Sequence, residues 1–457
     1  MKNIHFKYKI FVLLFAITLG ACTTEDLDPS TEQNKPVEGG ITSVTNVYGL
    51  LKGAYSGMTG SGYYGRDYII NNEVRTDNAF SNGNSGRFTT EASFSYNANT
   101  GFFWDDAYRV IASANIIISQ DETGLTGDLD YLTHMKGEAY AIRALVHFDL
   151  LKQYGQMHTG GTLGVPYVTE FKGEDLFPAR NTIDEDIAMI FADLDTAFSL
   201  MDENFYDSSK EFMSKYTAKA IESRVATYFG MWSRAIGASE AVINSGDYSI
   251  IPASNFVSSF SSDSSANSIF ELAFNSTDNQ GINGLAYIYR TTSGGSYGDV
   301  QVIDNVINLY EDGDVRADIL GYEGDMLRNI GKYPDNQGYD NVGVLRYEEV
   351  ILNYAEALFE TGSTAAALVQ INMITSNRNA SAYTTLTKDD LLLERRKEFI
   401  FEGMRYDDLL RTGMDITKFS TQQNFTSTIP YGDHRLAWPI PQAEVDANSN
   451  ITQNDGY

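Results

Sequence analysis

The chain has 457 residues, of which 33 are Lys or Arg and 61 are Asp or Glu, so its formal net charge is −28 at pH 7. An acidic surface of this kind repels phosphate backbones, which excludes nucleic acid as a favoured partner. Cys22 is the only cysteine, so an internal disulfide is excluded and stability must come from the core. A hydrophobic content of 42% over this length is sufficient for a large core.

Residues 1–21 have the parts of an export signal. Three lysines form a basic start, and residues 11–19 form an apolar stretch. That stretch is about half the roughly 20 residues that a bilayer-spanning helix needs. Small residues then precede Cys22. We therefore predict a lipoprotein signal peptide over residues 1–21, with Cys22 as the acylated residue that anchors the chain to a membrane; an ordinary signal peptide with a chance cysteine is the alternative.

The segment after the cysteine is polar. Removal of the signal takes away three lysines and no acids, which leaves a formal charge of −31. Residues 22–40 contain few apolar side chains and carry three acids close behind Cys22. This composition predicts a flexible tether. No comparable linker follows, so residues 41–457 are expected to form one domain.

The first half of this domain has helical patterns separated by long irregular stretches. Residues 218–244 mix small and large apolar residues at the spacing of a tetratricopeptide-like helix pair. Single helices are predicted over three further ranges: 104–119, 134–153 and 183–199. Two long loops, residues 61–100 and 249–297, are typical of functional segments packed over a scaffold.

The second half contains the clearest helical periodicity. Apolar residues recur at spacings of three and four from Tyr347 to Leu358, and a second helix is predicted over 364–375. The turn at 361–363 is so short that the two helices must lie antiparallel, as a hairpin. Two further helices are predicted, at 302–310 and 391–411. The chain is therefore predicted to be mainly α, a single helical body with tetratricopeptide-like pairs and long irregular ligand-binding loops.

The charges within the last of these helices sit at helical neighbour spacing. Arg395 with Glu398, and Glu402 with Arg405, are predicted ion pairs of a structural network. The same interpretation applies to the charges of the 134–153 helix, Glu138 and Arg143.

Motifs for catalysis or metal binding are missing from the sequence. There is no phosphate-binding glycine loop and no Gly-x-Ser-x-Gly nucleophile turn, and the histidines after the signal have no metal-ligand spacing. The acids between Glu311 and Asp318 lack the spacing of a calcium-binding EF-hand loop. We therefore expect no catalytic residue, no metal and no cofactor. Carboxylates are so numerous that a glycosidase pair cannot be chosen or excluded by their presence.

Blocks of residues along nearly the whole chain are similar to those of the SusD/RagB family, nutrient-binding lipoproteins of the outer membrane. They are Trp104–Tyr108 with Asn115, Gly137–Ala139, Arg143–Ala144, Phe148–Leu150, Tyr154–Gly155, Gly164–Pro166, Leu345–Tyr347, Ala355–Ala357, Glu394–Glu398, Glu402–Gly403, Arg405, Trp438–Pro441 and Gln453–Tyr457. The resemblance implies a helical ligand-binding body without catalytic activity. It also implies a TonB-dependent outer-membrane transporter as partner, a glycan or peptide as ligand, and a lipid-anchored position facing the cell exterior.

The resemblance places the ligand on two loop regions, residues 61–88 and 283–297. Aromatic side chains there are candidates for stacking on sugar rings: Tyr64, Phe80, Tyr287, Tyr289 and Tyr297. Polar side chains are candidates for hydrogen bonds: Asp77, Asn78, Arg87 and Arg290. The alternative is that most of these tyrosines pack on the scaffold and that Asp77 and Asn78 form a structural turn. A glycan receptor is the favoured function, with a peptide receptor of the same architecture and a surface glycoside hydrolase as alternatives.

Overall fold

A computed structural model describes residues 40–172, 177–291 and 296–457. The predicted signal peptide, the lipidation at Cys22 and the tether up to residue 39 lie outside the described residues. The helices are α1 (Val44–Met58), α2 (Asp67–Val74), α3 (Thr89–Ala92), α4 (Trp104–Ile118), α5 (Leu129–Tyr154), α6 (Ile183–Leu200), α7 (Lys215–Tyr228), α8 (Trp232–Ser245), α9 (Leu285–Tyr289), α10 (Tyr347–Glu360), α11 (Thr364–Ser376), α12 (Lys388–Phe399), α13 (Arg405–Arg411) and α14 (Gln442–Ala447). The mainly α prediction is confirmed.

The strands are few and short. They are β1 (Ala79–Ser81), β2 (Ser268–Leu272), β3 (Val300–Val302), β4 (Leu320–Glu323), β5 (Met326–Asn329) and β6 (Val342–Arg346). They form three antiparallel pairs, β1 with β3, β2 with β6, and β4 with β5. None of the helices in the described part of the chain has both the length and the apolarity that a bilayer-spanning segment requires.

Helix α5 is the centre of the core. It is 26 residues long, and nearly every side chain from Leu132 to Tyr154 is buried. Helices α1, α4, α6 and α7 pack against it. A helix enclosed in this way needs apolar residues on all sides, which is why its sequence lacks a single apolar stripe.

The two predicted helix pairs are confirmed. Helices α7 and α8 correspond to the pair predicted over 218–244, and α10 and α11 correspond to the pair predicted over 347–375. The second turn contains Gly362, whose φ of +85° suits a residue without a side chain just past a helix end. Helix α10 packs against both α7 and α8, so the two pairs lie side by side.

The predicted helix over 391–411 is interrupted. Helix α12 ends at Phe399, and α13 begins only at Arg405. Between them Phe401 and Gly403 have φ values of +71° and +77°. The break turns Glu402 toward Lys332 and Arg346, whose nitrogens donate hydrogen bonds to its carboxylate.

The predicted helix over 302–310 is wrong. Residues 300–302 form β3, and residues 304–309 form a short 3-10 turn. Strand β3 pairs with β1, so that Ala79 lies opposite Val302 and Ser81 opposite Val300. Within the predicted range only Val302 lies in the strand. Ile303 and Val306 are buried outside it, whereas Ile307 is 38% exposed.

The stretch predicted as the loop 61–100 contains α2, β1 and α3. Seven of the eight residues of α2 are buried, so the segment shows no amphipathic pattern. A short helix that is buried on all faces cannot be separated from a loop by periodicity alone.

The predicted charged network exists, but with different partners. Glu398 is fully buried and accepts hydrogen bonds from Arg378 at 2.8 Å and from Arg346 at 3.2 Å. Arg395 pairs with Asp408 at 3.0 Å, and Arg405 pairs with Asp77 at 2.9 Å.

The charges of α5 are also structural, as predicted. Arg143 pairs with Asp193 at 2.7 Å. Glu138 is buried and accepts a hydrogen bond from the Tyr55 hydroxyl at 2.5 Å. Both side chains thereby connect α5 to neighbouring helices.

Residues late in the chain complete the core at the C-terminal end of α5. The Trp438 ring stacks on Tyr96 with ring centres 4.0 Å apart, and its backbone nitrogen donates to the Gln153 carbonyl at 2.7 Å. The Asn454 side-chain amide donates to the carbonyls of Tyr154 and Trp438 at 2.8 and 2.7 Å. The end of α5 therefore depends on residues 300 positions further along the chain.

Candidate functional site

The pairing of β1 with β3 brings the two predicted loop regions together. The loop that leaves β1 runs from residue 81 to 88, and the segment 296–299 leads directly into β3. The Asn82 side-chain amide donates to the Gly298 carbonyl at 2.7 Å. The two loops therefore form one surface, which we name the β1–β3 face.

Arg87 and Tyr297 form the centre of the β1–β3 face. The guanidinium carbon of Arg87 lies 4.0 Å from the centre of the Tyr297 ring. Its Nε donates to the buried Asp299 carboxylate at 3.0 Å, and its Nη1 donates to the Asn283 side-chain oxygen at 2.9 Å. Its Nη2 is buried and has no hydrogen-bond partner. These contacts fix the guanidinium under a half-buried aromatic ring.

Amide side chains extend this face. Asn283 accepts a second hydrogen bond, from Arg66 Nη1 at 3.1 Å. The exposed Asn84 donates to the Tyr297 carbonyl at 2.7 Å. The sequence interpretation did not single out these asparagines. The signal that could have found Asn84 is the dense Asn-Gly-Asn-Ser-Gly run at residues 82–86, and Asn283 carried no comparable signal.

Two other predicted aromatic residues remain partly accessible. Tyr287 and Phe80 are half-buried. Tyr287 lies next to Gly338, where an added side chain would approach the tyrosine ring to 3.8 Å. Their predicted stacking roles, like that of Tyr297, stay predictions.

Tyr64 and Tyr289, two of the predicted stacking residues, are buried, as the alternative of packing on the scaffold would have it. Tyr64 is 5% exposed, and its hydroxyl donates to Asp149 at 2.7 Å. Tyr63 and Tyr68 donate to the same carboxylate, at 2.6 and 2.7 Å. A fully buried carboxylate needs such donors, and this requirement draws the tyrosines inward.

Tyr289 and Arg290 are buried against the segment 330–333. Tyr289 is 1% exposed and stacks on Tyr333 at a ring separation of 6.3 Å. Arg290 is 8% exposed, and its Nη2 donates to the Tyr333 carbonyl at 2.9 Å. Burial lowers the pKa of the Arg290 guanidinium. The expectation that Arg290 is available at the surface is therefore wrong.

Asp77 and Asn78 occupy structural positions. Asp77 pairs with Arg396 and Arg405, each at 2.9 Å. Burial raises the pKa of the Asp77 carboxyl, but the two guanidinium groups outweigh it and hold the pKa below its usual value. Asn78 is fully buried and donates to Glu73 at 3.0 Å. The alternative interpretation, a structural turn, fits these contacts better than ligand binding.

The structure adds one exposed tyrosine beside the β1–β3 face. Tyr322 is 62% exposed on the β4–β5 hairpin. The neighbouring Glu323 carboxylate accepts a hydrogen bond from the Thr291 backbone at 2.8 Å, which holds the hairpin against the same loop. The short strand β4 has no pattern from which the exposure of Tyr322 could be predicted.

The β1–β3 face has the chemistry of a binding surface. Aromatic rings offer flat apolar faces, and the amide group of the exposed Asn84 offers directed hydrogen bonds. Within the residues that the structure describes, no group of His, Cys, Asp or Glu side chains is arranged to hold a metal ion.

Two family models match different parts of the chain. The model described as the SusD family matches residues 326–457, and the model described as starch-binding associating with outer membrane matches residues 26–227. The starch-binding protein SusD of Bacteroides thetaiotaomicron is 33% identical over 132 residues, which cover 27% of this chain and 22% of that protein. The SusD-like protein P38 of Formosa agariphila is 23% identical over 427 residues, which cover 78% of this chain and 79% of that protein.

Solved structures agree over most of the chain. The crystal structure of a SusD superfamily protein from Bacteroides vulgatus superposes with a TM-score of 0.83 at 27% identity. The superposition covers 91% of this chain and 100% of that protein. The similarity therefore extends over most of the chain.

Proposed function

We propose that this chain, which belongs to the SusD superfamily, captures a glycan at the outer membrane and delivers it to a TonB-dependent transporter. Family membership supports the glycan class, because relatives include a starch-binding protein and a family model described as starch-binding. The observation that carries the proposal is the Tyr297 ring, which Arg87 braces from one side.

The physical basis is the shape of a sugar ring. A pyranose presents an apolar face that packs on an aromatic ring, and its hydroxyl groups need directed donors and acceptors. In the β1–β3 face, Tyr297 supplies the ring, and Asn84 and Asn283 supply amides. Tyr287, Phe80 and Tyr322 are the next candidates for stacking because they remain partly or largely accessible.

We further propose that the chain binds without catalysis and is held by a lipid on Cys22, facing the cell exterior. The transporter would supply both the channel and the energy for import. A peptide receptor of the same architecture and a surface glycoside hydrolase are the competing functions. Release of reducing sugars from a bound polysaccharide would favour the hydrolase.

The test is affinity electrophoresis of the protein in gels that contain soluble polysaccharides. At least one polysaccharide is expected to retard the protein. Tyr297→Ala is expected to weaken that binding about tenfold, because it removes the stacking contribution of one aromatic ring. Tyr431→Ala is the matched control, since Tyr431 is an exposed tyrosine that contacts His158 away from the β1–β3 face.

Two results would count against the proposal. If Tyr297→Ala and Tyr431→Ala weaken polysaccharide binding equally, the β1–β3 face is not the glycan site. Failure of every polysaccharide to retard the protein, combined with binding of a peptide mixture, would favour the peptide receptor.

A further inference from the structure

A concave surface lies apart from the β1–β3 face. A groove of about 530 Å³ runs between α4, the segment 166–168 and α14. This volume falls within the roughly 300–1,000 Å³ of small-ligand pockets. Its apolar walls are Tyr108, Pro166, Val168, Pro178 and Ile451. None of these residues belongs to the β1–β3 face.

Two carboxylates at this groove have no cationic partner. Asp105 on α4 is exposed, and Glu444 on α14 is half-buried. Neither side chain takes part in a hydrogen bond or an ion pair with any residue that the structure describes. Burial and the nearby Asp105 carboxylate raise the pKa of Glu444. The groove therefore carries uncompensated negative charge beside apolar walls.

The one cationic side chain among the described residues of the groove is directed elsewhere. Arg109 lies 3.2 Å from Asp106, and its side chain is 75% exposed. Its Nε donates to the backbone carbonyl of Asp105, not to the carboxylate. Asp105 and Glu444 consequently remain open to a cation from outside the chain.

We propose that this groove binds an extended polypeptide segment of a partner protein, which places a Lys or Arg side chain against Asp105 and Glu444. The long alkyl stems of these residues pack on apolar surface while their charged ends reach a carboxylate. Tyrosine and proline walls also match extended chain segments, which dock in aromatic-lined grooves. An inorganic cation would make no use of the apolar walls.

Charge argues against two other occupants. Residues 23–39 of this chain contain five acids and one lysine, so they are repelled by Asp105 and Glu444. A second copy of the chain is equally unsuitable, because each copy without residues 1–21 carries a formal charge of −31. A partner segment with a basic side chain has the complementary charge.

The test is isothermal titration calorimetry of the purified protein at low ionic strength. The probes are capped hexapeptides of proline and alanine that carry one lysine, and matched peptides in which norleucine replaces it. Norleucine keeps the alkyl stem and removes the charge. The lysine peptides are expected to bind about tenfold more tightly. The double variant Asp105→Asn with Glu444→Gln is expected to abolish the difference.

Controls separate this inference from the proposed glycan function. Asp130→Asn removes an exposed acid from the start of α5 and is expected to keep the preference for lysine. The double variant is expected to retain the gel retardation by polysaccharide, because its two sites lie outside the β1–β3 face. Equal affinity for lysine and norleucine peptides, or no detectable binding of either, would overturn the proposal. Tighter binding of an amino-sugar oligomer than of the lysine peptides would show that the natural occupant of the groove is not a polypeptide.

Discussion

Two buried glutamates show how neighbouring groups decide whether a buried carboxyl group has a lowered or a raised pKa. Burial raises the pKa of Glu398, but the guanidinium groups of Arg378 and Arg346 outweigh it and hold the pKa well below its usual value. Glu138 has a tyrosine hydroxyl as its donor, and burial raises its pKa to about 8. The neighbouring His134 supplies little charge, because burial lowers its pKa to about 4.

The raised pKa of Glu138 predicts a pH-dependent stability. The folded state holds a proton on Glu138 up to about pH 8, whereas the ordinary value is 4.5. The stability from this group is therefore fully present below pH 4.5 and is lost as the pH rises through 8. We expect Glu138→Gln to flatten the fall in the free energy of unfolding between pH 5 and pH 8 by up to about 1.4 kcal/mol per pH unit.

Urea unfolding at one-unit intervals of pH measures this change. Glu122→Gln is the control, because Glu122 is exposed and its side chain has no partner among the described residues. Parallel pH profiles for the wild type and Glu138→Gln would contradict the prediction. Glu73, whose pKa burial raises to about 7, is expected to retain part of the slope in both proteins.

The sequence predicted that the charges near residues 394–411 are structural, but not which residues they contact. Spacing along a helix identifies neighbours three or four positions apart. The actual partners of Glu398 are Arg346, Arg378 and Arg316, none of which lies on α12. Such pairs depend on the packing of distant segments, and a single sequence carries no record of that packing.

The break between α12 and α13 is the clearest case of tertiary structure overriding a helical pattern. Gly403 has a φ of +77°, and a side-chain carbon added there would lie 3.1 Å from the Ile69 Cα atom. The Gly403 backbone nitrogen also donates to the buried Glu73 carboxylate at 2.8 Å. Gly403 can therefore lie close to α2 because it has no side chain, and its backbone hydrogen bond to Glu73 holds it there.

Gly403→Ala is expected to lower the free energy of unfolding by about 2 to 4 kcal/mol, because it adds crowding against α2 to the strain of a positive φ. Gly413→Ala separates the two effects. Gly413 has a φ of +70° but no atom within 4 Å of the added carbon, so we expect a cost of only about 1 to 2 kcal/mol there. Chemical denaturation of both variants measures the difference. Equal losses in the free energy of unfolding would show that crowding against Ile69 adds no cost.

The elements that the sequence predicted well are long helices. Helix α10 carries an apolar face with a helical period, and its bounds follow the prediction closely. The missed elements include the 15-residue helix α1. The others include α2 and the strands β1 and β3, which are eight residues or fewer and largely buried. Short buried segments carry no polar face, so periodicity cannot distinguish helix, strand and loop.

At the scale of the whole molecule, the fold class could be predicted and the binding face only in part. Tyr297 and Arg87 were named because they lie in long loops, and the structure brings them into contact. Tyr64 and Tyr289 lie in the same loops but are buried by Asp149 and Tyr333, respectively. Loop composition alone cannot tell which side of a loop faces the core.

The anchoring proposal is tested with the whole chain in cells. Cys22→Ala is expected to move the protein from the membrane fraction to the soluble fraction, because the acyl chains provide the attachment. Its affinity for a retarding polysaccharide is expected to stay unchanged. Membrane retention of the variant, or a loss of glycan affinity, would show that Cys22 is not a simple anchor; Ser30→Ala is the control for substitution in the same segment.

The contacts of Trp438 and Asn454 also set the order of events during synthesis. Asn454 completes the end of α5 through Tyr154, 300 residues earlier. At about 5 to 20 residues per second, a ribosome needs about 15 to 60 seconds to add that length. Throughout this interval the C-terminal end of α5 lacks the contacts that Trp438 and Asn454 provide. The core around this end of α5 therefore closes only after residues 438–454 have been made.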